Sequence, residues 1–239
     1  MRNKHMAKVS LFIGQVQALP VSGRPTAMYK KAVEAPIELS AEGFVGDEQS
    51  DRRVHGGPEK AVHLYPSAHY AKLAAQFPDV APLLVPGSIG ENIATEDLDE
   101  HSVRLGDVWQ LGSALIQVCQ PRNPCWKIDE RFACEGMTEF IANERLTGWY
   151  WRVVTPGLVA PGDSLEIEQA ASEAFTLAEA MRHWQAHRPA LADLEKLAAT
   201  PGIAENWKQK ITTRLDWLRK NPQATPPQPV AFHVKPESP

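Results

Sequence analysis

The chain has 239 residues, 43% of them hydrophobic, and a formal charge of -4, which allows one good core and at most a small second one. That acidic balance supplies no positive field for a nucleic-acid backbone or an anionic membrane surface, so any bound anion must be met by a local basic site. No stretch approaches the roughly 20 apolar residues of a membrane span, the opening MRNKHMAKVS lacks a secretory apolar region, and three cysteines are too few for a disulfide framework, which together predict a cytoplasmic protein with a reactive thiol to spare.

From Val9 to about Glu168 the text is strand-like. LFIGQVQAL, AVEAPIEL, KAVHLY, SVRLGDVWQLG, SALIQVCQ, WYWRVV and DSLEIE are short runs rich in branched and aromatic residues, separated by Gly, Pro, Asn and Asp. Helical interruptions are expected near Pro66 to Gln76 and Thr138 to Arg145, with Ser67 and Thr138 as caps. The profile predicts a mainly β fold with α elements, a mostly antiparallel barrel over 9–169 rather than βαβ units. Beyond Gln169 the apolar spacing turns helical. Thr176 with Glu179 reads as a capping box, Phe175, Ala178, Met181 and Trp184 share one face, Leu191, Leu194, Leu197 and Ala198 suggest a second helix, and Ile203, Trp207, Ile211, Leu215 and Leu218 a third. A three-helix appendage is therefore expected over 170–220, followed by a flexible proline-rich tail over 221–239. The residues before Ala7 read as a frayed extension.

There is no P-loop, no G-x-G-x-x-G after a strand, no G-x-S-x-G elbow and no H-E-x-x-H. His63 and His69 have a spacing compatible with zinc but lack paired cysteines, so both read as ordinary core or surface histidines. Three segments carry more chemistry. In GFVGDEQSDRRVHGGPEKAVHLYP, Gly43 to Pro66, glycines including Gly56 and Gly57 let main chain approach a ligand, while Asp47, Arg52, Arg53, His55 and Lys60 add charge. In PGSIGEN, Glu91 and Asn92 present a carboxylate and an amide that match the edge of a purine-like or pterin-like ring. In QPRNPCWKI, Cys125 follows Pro124 in a loop after a strand, and the nearby bases Arg122 and Lys127 favour its thiolate, the form that ligates soft metals. Cys119 lies inside an apolar strand and Cys134 in an undistinguished stretch, so both read as structural.

Taken in order, AMYKKAV, the GDEQ…VHGG block, PGSIGEN, RLGD, QPRNPCWKI and GWYWRVVTPG resemble a MOSC domain of the YiiM type, from about Ser10 to Lys220. The resemblance implies a β-barrel-like fold whose cleft binds molybdenum cofactor, a molybdopterin, with Cys125 as the metal ligand. By position it gives Lys30 the neutralisation of the pterin phosphate, assigns Asp47, His55, Gly56, Gly57, Glu91, Asn92 and Arg122 to the cofactor site, and leaves Arg152 a supporting role. It further implies a reductase of N-hydroxylated compounds, with 6-N-hydroxylaminopurine as the model substrate and detoxification of base analogues as the outcome. His55 or Asp47 is the expected proton source. The chain shows no flavin, nicotinamide or iron–sulfur signature, so electrons are expected from a separate reductase, a flavoprotein, with neither nucleic acid polymer nor membrane as partner. A different reading is a carrier of the pterin, or of sulfur through a Cys125 persulfide, without reductase activity; the missing cysteine-desulfurase region and the YiiM-type length favour the enzyme.

Overall fold

The computed structural model describes residues 7–52, 56–227 and 229. In chain order, β1 (Ala7–Lys8), β2 (Ser10–Ile13), β3 (Gln17–Ala18), β4 (Pro25–Thr26), β5 (Lys31–Ala32), β6 (Ile37–Ser40) and β7 (Gly43–Phe44) lead to a 3-10 turn at Pro58–Lys60. Next come β8 (Val62–Pro66), α1 (Ala68–Gln76), β9 (Ile93–Thr95), β10 (Val108–Leu111), β11 (Ala114–Pro121), α2 (Lys127–Phe132), α3 (Met137–Asn143), β12 (Trp149–Thr155), β13 (Gly157–Val159) and β14 (Ser164–Gln169). The last elements are α4 (Leu177–Gln185), α5 (Leu191–Ala198) and α6 (Glu205–Lys220).

The principal sheet has nine strands in the order β1-β14-β10-β11-β12-β8-β9-β2-β5. Its pairings are antiparallel except β8 with β9, which are parallel. The order does not return on itself, so the sheet is open rather than the closed barrel expected. It is nevertheless strongly rolled: β1 and β2 lie far apart in the order yet are separated in the chain only by Val9, whose N–H donates to the Asp163 carbonyl. Wholly buried Trp149 and Trp151 of β12 pack with Trp109 of β10, Leu64 of β8 and Ile93 of β9 to fill the inside of the roll.

Thr176 caps α4 with the reciprocal bonds of a capping box: Glu179 N–H donates to Thr176 Oγ1 and Thr176 N–H to the Glu179 carboxylate. The buried face of α4 is Leu177, Ala180 and Met181, turned slightly from the expected one, with Phe175 and Trp184 only partly covered. Leu194 and Leu197 of α5 and Trp207, Ile211, Leu215 and Leu218 of α6 pack over Leu105, Cys119 and Tyr150, so the helices cover the outer side of β11 and β12. Thr138 does not cap α3 but lies within it, and Ser67 precedes α1 without a side-chain capping bond. The first tail residues are tied down, since Arg188 donates to the Asn221 and Ala224 carbonyls. The expectations for the residues before Ala7 and for most of the tail beyond Pro227 lie outside the described residues. Among the described residues, no helix is long and apolar enough to cross a membrane.

Candidate functional site

One end of the roll is organised by a row of residues that crosses four strands. Gln120 of β11 pairs with Tyr150 of β12, and Tyr150 with His63 of β8. His63 then exchanges bonds with Asn92, just ahead of β9: its carbonyl accepts from Asn92 N–H at 2.8 Å, and its own N–H donates to Asn92 Oδ1 at 3.1 Å. Asn92 Nδ2 spends both hydrogens, on the Phe12 carbonyl and on Asp47 Oδ2. Asp47 is a hub of acceptors: Oδ1 takes Gly14 N–H at 2.7 Å and Lys30 Nζ at 2.5 Å, and Oδ2 takes Lys30 at 2.7 Å and Asn92 at 2.9 Å. Burial pushes the Lys30 ammonium below its usual range against the opposing pull of Asp47.

Above this row lies a half-open cleft. Lys30, Asp47, Asn92, Arg122 and Cys125 line it together, although they come from four separate segments of the chain. His63, Lys60, Lys127 and Tyr150 complete the walls that matter chemically. Arg122 is nearly buried and donates from Nη1 to the Ile89 carbonyl at 3.0 Å, which fixes its guanidinium at the cleft wall. Cys125 is held by its main chain: its carbonyl accepts from Ile128 N–H and from Thr138 Oγ1. Thr138 is in turn held by Asp129, whose Oδ1 accepts its N–H at 2.6 Å and lies 2.6 Å from its hydroxyl, so the single hydroxyl proton is shared between Asp129 and the Cys125 carbonyl. Burial raises the Cys125 thiol above its usual range, against the pull of Lys127 N–H and Arg122. The bases near Cys125 therefore do not make it a thiolate by themselves, because desolvation outweighs them.

Five expected site residues sit elsewhere or cannot be placed. Glu91 is wholly buried behind the cleft, and both its oxygens are committed, Oε1 to Gly87 N–H and the Tyr70 hydroxyl, Oε2 to Ile89 N–H. It braces the loop instead of facing a ring. Arg152 pairs with Glu59 at 2.8 Å, outside the cleft: alternation along β12 puts it on the same face as Tyr150, but two residues further along the strand, where Glu59 and the Ile203 carbonyl take its guanidinium. Gly56 and Gly57 do not line the cleft: Gly56 lies under Gln49, where a Cβ would meet Oε1 at 2.1 Å, and Gly57 turns the chain into Pro58–Lys60 with φ 87°. His55 lies outside the described residues.

His63 is the site residue that reading the sequence alone passed over. Its Nε2 is 3.4 Å from the Thr147 carbonyl, and its ring centroid is 5.4 Å from that of Tyr150. Burial, then the Arg122 and Lys30 charges, push it well below its usual range, so it rests as a neutral imidazole. Gly148 makes this possible, since at φ 64° any Cβ there would lie 2.2 Å from the Leu64 carbonyl and 3.1 Å from His63 Nε2. The usable signal was His63 in a strand immediately after the glycine-rich segment.

A MOSC domain model matches residues 51–166. The chain is 35% identical over 207 residues to Protein YiiM of Escherichia coli strain K12, covering 86% of this chain and 91% of that one. The solved structure of YiiM from Escherichia coli superposes with a TM-score of 0.75 at 29% identity, over 89% of this chain and 93% of that one. A protein named Reductase from Gibberella moniliformis is 33% identical over 156 residues, which is 64% of this chain but 28% of that longer protein. With that fold and those relatives, the chain belongs to the MOSC-domain proteins of the YiiM type.

Proposed function

We propose that the cleft binds molybdenum cofactor through Cys125 and that the protein reduces N-hydroxylated compounds, 6-N-hydroxylaminopurine being the model, with electrons from a separate reductase. MOSC domains are generally associated with that cofactor, and the relative named Reductase points to the same class of chemistry. The observation that carries the reading is one soft thiol sharing a cleft with Lys60, Arg122 and Lys127, while of the two acids in the lining Asp47 is already paired with Lys30 and Glu48 accepts the Val16 N–H. That donor set fits a group with a soft metal and an anionic phosphate.

When bound, the cofactor supplies the two electrons that cleave the N–O bond, and two protons complete the conversion of a hydroxylamine to an amine and water. Cys125 must lose its thiol proton to ligate, and burial makes that release dependent on the metal's charge. Arg122 and Lys60 would hold the cofactor's phosphate, whereas Lys30 fixes Asp47 and through it Asn92. Asp47 accepts at both oxygens from three residues, so we assign proton handling to His63 rather than to Asp47. An anion in the cleft offsets the desolvation and the Arg122 charge that keep its ring neutral, allowing it to take up a proton and pass it on. The near-complete burial of Cys125 argues against a persulfide carrier, whose sulfur must be reached by an acceptor protein.

The test is to load the purified protein with cofactor, supply a chemical reductant, and follow conversion of 6-N-hydroxylaminopurine to the amine. Turnover dependent on both protein and cofactor is expected. Retention of pterin with no reduction by any reductant would replace the reductase reading with a binding one.

A further inference from the structure

The 3-10 turn Pro58–Lys60 is held from three sides. Glu59 Oε1 accepts from Arg152 of β12 at 2.8 Å, and the Glu59 carboxylate accepts the Glu205 N–H at 3.0 and 3.1 Å, at the first turn of α6. The Glu59 carbonyl accepts from Cys119 Sγ at 2.8 Å in β11. Ala204 ahead of α6 has no side-chain capping atom, so Glu59 supplies to that helix the acceptor its own sequence lacks. Arg152 donates as well to the Ile203 carbonyl, which closes the arrangement around the start of α6. The next residue, Lys60, enters the cleft, with its ammonium 6.0 Å from the Tyr150 ring centroid.

The Glu59–Arg152 pair is about one-third exposed, so its contribution to overall stability is small. Its position is more informative than its strength. It fastens the C-terminal helical region to the turn that delivers a cation into the cleft, and it accounts for Arg152 standing close to the site without lining it. A turn fixed on three sides sets where the Lys60 side chain starts, so that no backbone ordering is spent when it meets a ligand.

We propose that Lys60 is an anion-binding residue of the cleft and that Glu59, clamped by Arg152 and the start of α6, is the positioning residue that presents it. The assignment of the anion as the cofactor phosphate rests on the function proposed above; the presence of an anion site does not.

The test is to titrate the full-length protein with inorganic pyrophosphate by calorimetry at fixed ionic strength, in parallel with cofactor loading read as pterin per chain. Lys60→Gln is expected to weaken pyrophosphate about tenfold, the loss of one charge-assisted contact. Glu59→Ala should weaken it as much, and the double variant no further, since both remove the same contact. Glu59→Gln keeps an acceptor for the Glu205 N–H and should recover most of the binding, which a merely destabilised fold would not do. If Glu59→Ala does not fold, Arg152→Gln loosens the same turn and takes its place in the cycle. Full additivity, or wild-type pyrophosphate binding in folded Glu59→Ala or Arg152→Gln, overturns the proposal, as does a parent protein that binds no pyrophosphate. Pyrophosphate binding with the expected non-additivity but no pterin retention upholds the anion site and removes the cofactor reading instead.

Discussion

Cys119 and Cys125 show how far one side chain's chemistry depends on what the fold places around it. Cys119 is wholly enclosed by β11, β12 and the helices, and burial pushes its thiol up to about 12. In the unfolded chain the thiol ionises near 9. The folded state therefore holds the proton that the unfolded state releases, and stability falls as pH rises from about 9 to about 12, by up to roughly 1.4 kcal/mol per unit. Cys119→Ala should flatten that part of the stability curve at some cost near neutrality; chemical denaturation at pH 7, 9 and 10.5 checks it, and an unchanged alkaline slope contradicts it. Which cysteine lines the cleft was legible from Pro124 and the neighbouring bases, but the protonation of Cys125 was not. That depends on burial contributed by distant segments, as does the role of Asp47, whose partners Gly14, Lys30 and Asn92 are far apart in the chain.

Among the elements, α4 was legible because Thr176 and Glu179 signal its start within four residues, whereas α2 was not: it is a six-residue helix whose preceding Trp126 gives no capping bond. Thr176→Ala removes the side-chain half of the capping box and should cost about 1 kcal/mol, with the cleft unaltered. A lower Tm with unchanged pyrophosphate affinity is the expected result. Asp129 in α2 has a different duty. It accepts from Gly136 N–H, Thr138 N–H and Thr138 Oγ1, and Thr138 in turn holds the Cys125 carbonyl. Asp129→Ala should therefore lower both stability, by about 1–3 kcal/mol, and cofactor retention, about tenfold or more, as expected for a residue that orients the proposed metal ligand through another. Equal loss of Tm in Thr176→Ala without loss of retention separates the two effects.

At the scale of the whole molecule, the helical region is part of the fold rather than an ornament on it. Leu194, Leu197, Trp207, Ile211 and Leu215 form one cluster with Leu105, Cys119 and Tyr150, and Tyr150 lines the cleft from its other side. A chain stopped after Gln169 exposes that apolar surface and loses the clamp on Glu59, so it should aggregate or melt without a cooperative transition. A cooperative melt of the truncated chain contradicts this. The switch in apolar spacing near Gln169 made the three helices readable, but not the rolling of an open sheet through β1 and β2, because a two-residue strand interrupted at Val9 leaves almost no periodic signal.

The central claim is that Cys125 is the soft ligand in this cleft, and the most direct measurement compares bound molybdenum with bound pterin in serine variants of all three cysteines after identical loading. Cys134 is the most exposed of the three, and Cys119 lies in the strand core. Cys125→Ser should remain folded, lose most of its bound molybdenum while keeping part of its pterin through Arg122 and Lys60, and lose reductase turnover by orders of magnitude, because a hydroxyl rarely ionises near neutral pH and is a harder ligand. Folded Cys119→Ser and Cys134→Ser should keep the parent ratio of molybdenum to pterin. A folded Cys125→Ser protein with the parent ratio and parent turnover would contradict the account.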